Sequence, residues 1–405
     1  MSRSPQPPTV TALPIKKSVS LAWRGRRLDF DVAQALFSSH QVDRGSRLLL
    51  ESLDPAAFPD AGTAADFGCG YGVLGIAWQA VRPEWVMEYV DRDALAVAFA
   101  RHNATRLLEN VDERSRFQCD ISVTAPEDGY GLVLWNVPGK AGRPVIAALR
   151  DVALDALAPD GVLAVVVVHP LADLFMEEAT AHEDVETMHV ARDKEHTVVH
   201  LRRAGGDAVR RDPFAEGAFD RSTEVFEASG LDWMLTPVIG LPEYDSLGHA
   251  TELAIRAMVE LERDVSRWLV VDPGAGHLAV APFLLWPSAR GVLAGRDALA
   301  LRSSHRAIGG VLSVTEAPSW GPPAVDLEKP VDLAVVALPE QASANDLSAM
   351  LEELDRLVAS AGCAILHGRS TEIARIGAVV RKRRGWRLGP VTKLRGSATV
   401  VARKA

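Results

Sequence analysis

The sequence predicts two tandem α/β domains, each a doubly wound and mostly parallel sheet. Three observations carry this. An apolar strand runs into Asp66-Phe-Gly-Cys-Gly-Tyr-Gly72, where glycines alternate at 68, 70 and 72 ahead of an apolar helix. Strand and helix patterns then alternate at the intervals of βαβ units. Finally, the pattern returns later in the chain. Asp66-Phe-Gly-Cys-Gly pairs with Asp272-Pro-Gly-Ala-Gly, Arg92-Asp-Ala-Leu-Ala96 with Arg296-Asp-Ala-Leu-Ala300, and Leu134–Pro138 with Val335–Pro339. Offsets that shrink slowly and keep their order mean two copies of one fold.

In chain order, residues 1–17 read as a disordered tail and 18–36 as a small hairpin or cover. The strand ending at Asp66 is followed by a helix over Val73–Val81. Trp85–Val90 is a strand ending on Asp91, and Ala94–Glu109 a helix. Phe117-Gln-Cys-Asp120 closes a third strand. Gly131–Trp135 is a fourth, entering Asn136-Val-Pro138-Gly139. Pro144–Leu157 is a helix, 158–161 a turn, Val162–Val168 a β-branched strand, and His196–Leu201 a terminal strand. The first domain is thus 18–204. Residues 205–220, rich in Gly and charge, read as a linker, and 221–405 as the second domain. There Leu347–Ser360 reads as a helix, with strands at Cys363–His367 and Ser397–Ala402.

The candidate site lies where strands end. Glycines at 68, 70 and 72 permit a tight turn and a close backbone approach to a ligand. The helix behind them offers free N–H groups to an anion. Asp91 suits the two hydroxyls of a ribose, Asp120 an adenine amino group, and both follow strands of an open α/β sheet. The second copy has Gly295 for Asp91 and Ala337 for Asn136, while Pro273 and His277 intrude on its glycine turn. It is read as a degenerate copy that has lost the cofactor.

The first half resembles the class I S-adenosylmethionine-dependent methyltransferases, and within them the "methyltransferase small" group. That group includes the ribosomal RNA guanine-N2 methyltransferases of the RsmC and RlmG kind. Asp66–Gly72 looks like their first motif. Phe37-Ser38, Asp43, Gly45-Ser46 and Leu48-Leu49-Leu50 match the stretch that precedes their cofactor strand. The resemblance implies two tandem Rossmann-like seven-stranded domains, although in that group the silent copy comes first. It implies S-adenosylmethionine held by Asp66, Gly68, Gly70, Gly72, Asp91, Asp120 and Asn136. It further implies an N-methyltransferase acting on an exocyclic amine of a base in RNA, with Asn136 and Pro138 as the catalytic turn. Phe37, Ser38, Trp135 and Lys140 would line the substrate side.

In that group the turn is Asn-Pro-Pro-aromatic, whose ring stacks the target base. Here Val137 replaces the first proline and Gly139 the aromatic residue. Three readings follow: Trp135 or Tyr130 supplies the ring, the substrate is a small molecule or a protein, or the domain is a cofactor-binding but silent module. These readings stay open at this stage.

Composition frames the rest. The 405 residues are 48% hydrophobic and 24% charged, with a net charge of −9. That balance argues against a sequence-blind electrostatic RNA binder but leaves room for local patches, at Lys16-Lys17 with Arg24–Arg27 and at Arg381–Arg384 with Trp386. Cys69, Cys119 and Cys363 form neither a metal spacing nor a disulfide framework, which fits a reducing cytoplasm. The opening lacks the apolar core of a signal peptide, and no apolar run is long enough for a bilayer. No metal or membrane is implied, and a monomer is plausible.

Overall fold

A computed structural model of the protein describes residues 13–180, 184–311, 314–318, 327, 329–340, 344–383 and 385–405. Most of the expected N-terminal tail lies outside these residues. The chain divides into two compact bodies between Phe219 and Asp220.

The first body opens on an antiparallel hairpin of β1 (Lys17–Trp23) and β2 (Arg26–Val32). Alternation buries Val19, Leu21 and Trp23 on one face and Leu28, Phe30 and Val32 beside them, as period-two patterning requires. α1 (Arg44–Ser52) follows, started by Asp43, whose carboxylate accepts the Ser46 N–H. Next come β3 (Thr63–Phe67), α2 (Val73–Val81), β4 (Val86–Asp91), α3 (Ala94–Leu107) and the single turn α4 (Val111–Arg114). The chain continues through β5 (Ser115–Cys119), β6 (Tyr130–Asn136), α5 (Arg143–Asp155), β7 (Leu157–Val168), α6 (His169–Thr180), β8 (Val185–Arg192) and β9 (His196–Arg203). The seven strands lie in the order β5-β4-β3-β6-β7-β9-β8. All pairings are parallel except those of β9. The order reverses between β3 and β6, so a crevice opens at their carboxyl ends, where ligands bind in such sheets.

The second body repeats this plan. Its hairpin is β10 (Glu224–Ala228) with β11 (Leu231–Leu235), followed by α7 (His249–Val259), β12 (Arg267–Val271), α8 (His277–Leu285), β13 (Arg290–Gly295), α9 (Ala298–Ala307) and β14 (Val314–Pro318). Then come β15 (Val331–Ala337), α10 (Ala344–Leu357), β16 (Val358–Arg369), α11 (Ser370–Val380), β17 (Trp386–Leu394) and β18 (Ser397–Lys404). The sheet order β14-β13-β12-β15-β16-β18-β17 is that of the first body. Leu269, Val271, Val336, Leu351, Leu354, Leu366 and Ile376 belong to its core.

Three expectations change. The run 205–220 is largely no linker: Val209 N–H bonds Asp155 O at 2.7 Å, Arg210 Nε bonds Ala125 O at 2.8 Å, and Phe214 and Phe219 are buried. Two buried phenylalanines, Arg210 on a carbonyl and Arg211 paired with Asp155 and Glu216 outweigh its loop-like composition. The repeat also slips by two residues at the glycine turn. β3 ends at Phe67 and β12 at Val271, so the counterpart of Gly68 is Asp272 and that of Asp66 is Val270. Backbone angles agree, with φ +68° at Gly68 and +53° at Asp272, +55° at Gly70 and +64° at Gly274, +93° at Gly72 and +120° at Gly276. The third change concerns the basic run near the C-terminus. Arg383 is paired with Asp355 and Glu352, and Trp386 is buried with its Nε1 on Asp355.

Candidate active site

The glycine turn joins β3 to α2 at the crevice. Gly68 and Gly70 take positive φ, and a Cβ on either would meet no atom within 4 Å. The turn therefore faces open space and leaves room for a ligand to lie against backbone. Gly72 differs, because a Cβ there would lie 2.7 Å from Ile76 Cδ1 and 3.3 Å from Ala100 Cα. Its role is to let α2 and α3 close on each other.

Asp91, at the end of β4, accepts the Gly70 N–H on Oδ2 at 2.9 Å and the Asp93 N–H on Oδ1 at 2.9 Å. Each oxygen keeps a lone pair for a further donor, so the carboxylate is both fixed and able to accept hydroxyls. Burial pushes it up to about 6, against the lowering effect of those two N–H groups. Asp120 stands beside it, its N–H on Asp91 O at 3.0 Å and its Oδ1 accepting the Ile121 N–H at 2.7 Å. Asp66 lies beneath the turn at 1% exposure, with Oδ2 on the Gly75 N–H at 2.8 Å. Its Oδ1 has no partner among the described residues. Burial raises this carboxyl to about 7. These groups suit a ribosyl ligand: an open backbone cradle with a fixed acceptor at its rim.

Asn136 ends β6 on the same edge. Its Nδ2 donates to Asp43 Oδ2 at 2.9 Å and to Ser46 Oγ at 3.1 Å. The Val137 N–H bonds Val166 O at 3.0 Å, holding the start of the turn, while Pro138, Gly139 and Lys140 are exposed. Thus Asp66, the glycine turn, Asp91, Asp120 and Asn136 all reach one sheet edge. Ser38 lies there too, with its carbonyl 3.5 Å from Tyr71 Oη in the glycine turn.

Trp135 is a correction. It is 1% exposed and stacks on Phe67 with centroids 4.8 Å apart, because β6 is a central strand in which residues 132–135 are all buried, whichever face they point to. Tyr130 is equally buried and donates to Glu88. Neither can stack a substrate. Phe37, by contrast, is 75% exposed.

Sequence reading missed two sets of residues. Asn103, fully buried in α3, donates to Tyr71 O and Asp31 O, both at 3.0 Å, and accepts the Asp31 N–H. It ties the hairpin to the glycine turn, and a buried Asn in an apolar helix was the available signal. The other set is Asp43 and Ser46, noticed in the sequence only as motif.

At the matching place in the second body, a Cβ on Gly295 would lie 2.9 Å from Asp272 Oδ1. Asp272 also accepts the Arg296 N–H at 3.0 Å. His277 is buried at the start of α8, accepting Trp233 Nε1 on Nδ1.

Strand order and the open sheet edge give the first body the fold of a class I methyltransferase domain. Residues 27–200 match the family model described as the methyltransferase small domain, and the chain resembles the RsmC and RlmG group of that class. A ribosomal RNA large subunit methyltransferase G from Colwellia psychrerythraea is 31% identical over 132 residues, 32% of this chain and 33% of that protein. One from Alcanivorax borkumensis is 31% identical over 151 residues, 36% of this chain and 37% of that protein. These alignments span only about a third of the relatives' own length. The T. thermophilus 16S rRNA N2 methyltransferase RsmC, solved with AdoMet and guanosine, matches with a TM-score of 0.65 at 15% identity. That match covers 96% of this chain and 98% of the other, and bears out two tandem domains of this fold. Among the described residues no helix is long and apolar enough to cross a membrane, and no group of three or more His, Cys, Asp or Glu is placed to hold a metal.

Proposed function

We propose that the protein is an S-adenosylmethionine-dependent N-methyltransferase whose target is the exocyclic amine of a guanine in ribosomal RNA. The observation that carries this reading is Asn136, held at a strand end on the same edge as an open glycine turn and a fixed acid. The similarity to ribosomal RNA methyltransferases supports the substrate class.

Bound at that edge, S-adenosylmethionine would supply an electrophilic methyl carbon. Asp91 would accept the ribose hydroxyls, Asp120 the adenine amine, and the turn 68–72 would take the rest of the cofactor against backbone. Asp66 braces that turn from beneath through Gly75. An aromatic amine delocalises its lone pair into the ring, so the site must hold both amine hydrogens to free it. Asn136 Oδ1 and the Val137 carbonyl are the acceptors for them, and Pro138 stiffens the turn. No strong base is required, since positioning dominates such a transfer. Phe37, exposed beside Ser38, would supply the ring that Gly139 lacks, and Lys140 would contact a phosphate. The first body would be catalytic, and the second would bind substrate. Soluble, cytoplasmic action on RNA follows from this reading.

Gly139 and the net charge of −9 favour one competing reading, a small-molecule or protein acceptor. Mass spectrometry of ribosomal RNA from cells with and without the gene decides. Loss of one methylguanosine on deletion is expected. Unchanged RNA, with labelled methyl groups entering only metabolites or protein, would sink the RNA reading.

A further inference from the structure

We propose that Asp43 and Ser46 are positioning residues that lock the side-chain amide of Asn136 in the one orientation that presents its carbonyl oxygen to the target amine. The proposal rests on the reading of Asn136 given above. Its geometric part stands independently of any substrate.

A carboxylate oxygen only accepts, and an amide has two donors on nitrogen and an acceptor on oxygen. Asp43 Oδ2 at 2.9 Å and Ser46 Oγ at 3.1 Å therefore take both Nδ2 hydrogens of Asn136. Turning the amide over would set its oxygen against a carboxylate oxygen and leave a half-buried acceptor pair unmatched. Oδ1 is thus directed away from α1. The same Asp43 Oδ2 also accepts the Ser46 N–H at 3.0 Å, which starts α1. One oxygen caps the helix and steers the site.

Gly45 brings this pair within reach. A Cβ there would lie 3.0 Å from Asp43 Oδ2, 3.2 Å from His196 Cδ2 and 3.3 Å from Val166 Cγ2. Val166 is the register partner of Asn136 across β6 and β7. The missing side chain lets the first turn of α1 press onto the strand beside Asn136. The Asp-x-Gly-Ser spacing then has a single physical account, namely an acceptor, a close approach and a second acceptor. In the second body, where Ala337 stands for Asn136, the position that caps α7 is Gly248, with no side-chain acceptor, and the acid beside the helix is Glu243, five residues upstream of that cap. It accepts the Thr251 hydroxyl at 2.9 Å instead.

The test separates steering from capping. Asp, Asn and Ser cap helices about equally well, so a purely structural Asp43 makes Asp43→Asn and Asp43→Ser alike. If Asp43 steers Asn136, Asn still offers one oxygen to both donors, whereas Ser is too short to reach. For the full chain acting on ribosomal RNA from a deletion strain, we expect Asp43→Asn to keep kcat within a few-fold. Asp43→Ser should lower kcat by about 100-fold with KM and cofactor Kd nearly unchanged. Ser46→Ala should fall between them. A second readout needs no activity. The ¹⁵N-resolved Nδ2 hydrogens of Asn136, assigned by their absence in Asn136→Ala, should exchange slowly in the wild type and in Asp43→Asn, and fast in Asp43→Ser. Equal kcat and equal exchange in the two Asp43 variants overturn the proposal. Should Asp43→Ser fail to fold, wild-type exchange and kcat in Ser46→Ala overturn it as well. Slow exchange in a protein that methylates no RNA keeps the lock and removes only the assigned substrate.

Discussion

Asp66 keeps a carboxyl almost out of water with one N–H for company, and this has a measurable cost. Its proton is held more tightly in the fold than in the unfolded chain, where the ordinary value is 3.8 against about 7 here. Stability therefore falls as pH rises from about 4 to about 7, by at most about 4 kcal/mol. Asp66→Asn keeps an acceptor for Gly75 and removes the charge. Its thermal midpoint should vary less than that of the wild type over this range; an equal slope would show that the acid is hydrated. Asp91 has the opposite relation to ligand. Only the ionised form accepts two hydroxyls, so cofactor affinity should decline as pH falls through about 6. Replacing Asp91 by Ala removes two charge-assisted bonds, about 3 kcal/mol or roughly 100-fold in Kd by calorimetry. Both acids were legible in the sequence because strand ends in such sheets face the crevice. The burial of Trp135 was less so: it depends on β6 lying in the middle of the sheet with both faces covered, and strand order is not written in the local pattern.

Among elements, the turn between β3 and α2 does two jobs at neighbouring glycines. A side chain at Gly70 meets no protein atom. Gly70→Ala should therefore cost only the left-handed backbone penalty, about 1–2 kcal/mol, yet lose cofactor binding because the methyl enters the open cradle. Gly72→Ala drives a methyl into Ile76 and the backbone of Ala100, and should lower the thermal midpoint more, as overpacking does. If Gly70→Ala binds cofactor normally, the ligand lies elsewhere. The helix Val73–Val81 was readable to the residue, because glycine stops one pattern and an unbroken apolar run begins the next. β8 and β17 were not. Their side chains are largely exposed, so no hydrophobic alternation marks them, and pairing with β9 and β18 supplies what the sequence pattern lacks. The hairpin β10–β11 was missed for a related reason: only Phe226, Ala228, Trp233 and Leu235 are buried in it.

At the scale of the molecule, two bodies with one strand order should bind one cofactor per chain. Calorimetry on the intact protein should give a stoichiometry near one, abolished by Asp91→Ala and indifferent to Asp272→Ala; two sites would refute the division of labour. The duplication itself was legible, since shared dipeptides survived at strand ends. Its register was not, because Asp-x-Gly-x-Gly can be laid on the earlier turn in two ways, and the strand ends with the left-handed backbone at Asp272 tell them apart. That residue has a lasting effect. Its carboxylate occupies the space a side chain at position 295 would need. Reintroducing an acid at 295 would set two carboxylates against each other, and removing Asp272 first restores nothing by itself. The way back to a working pocket thus needs two ordered changes, the first without benefit of its own, which leaves the later half free to diverge toward other tasks.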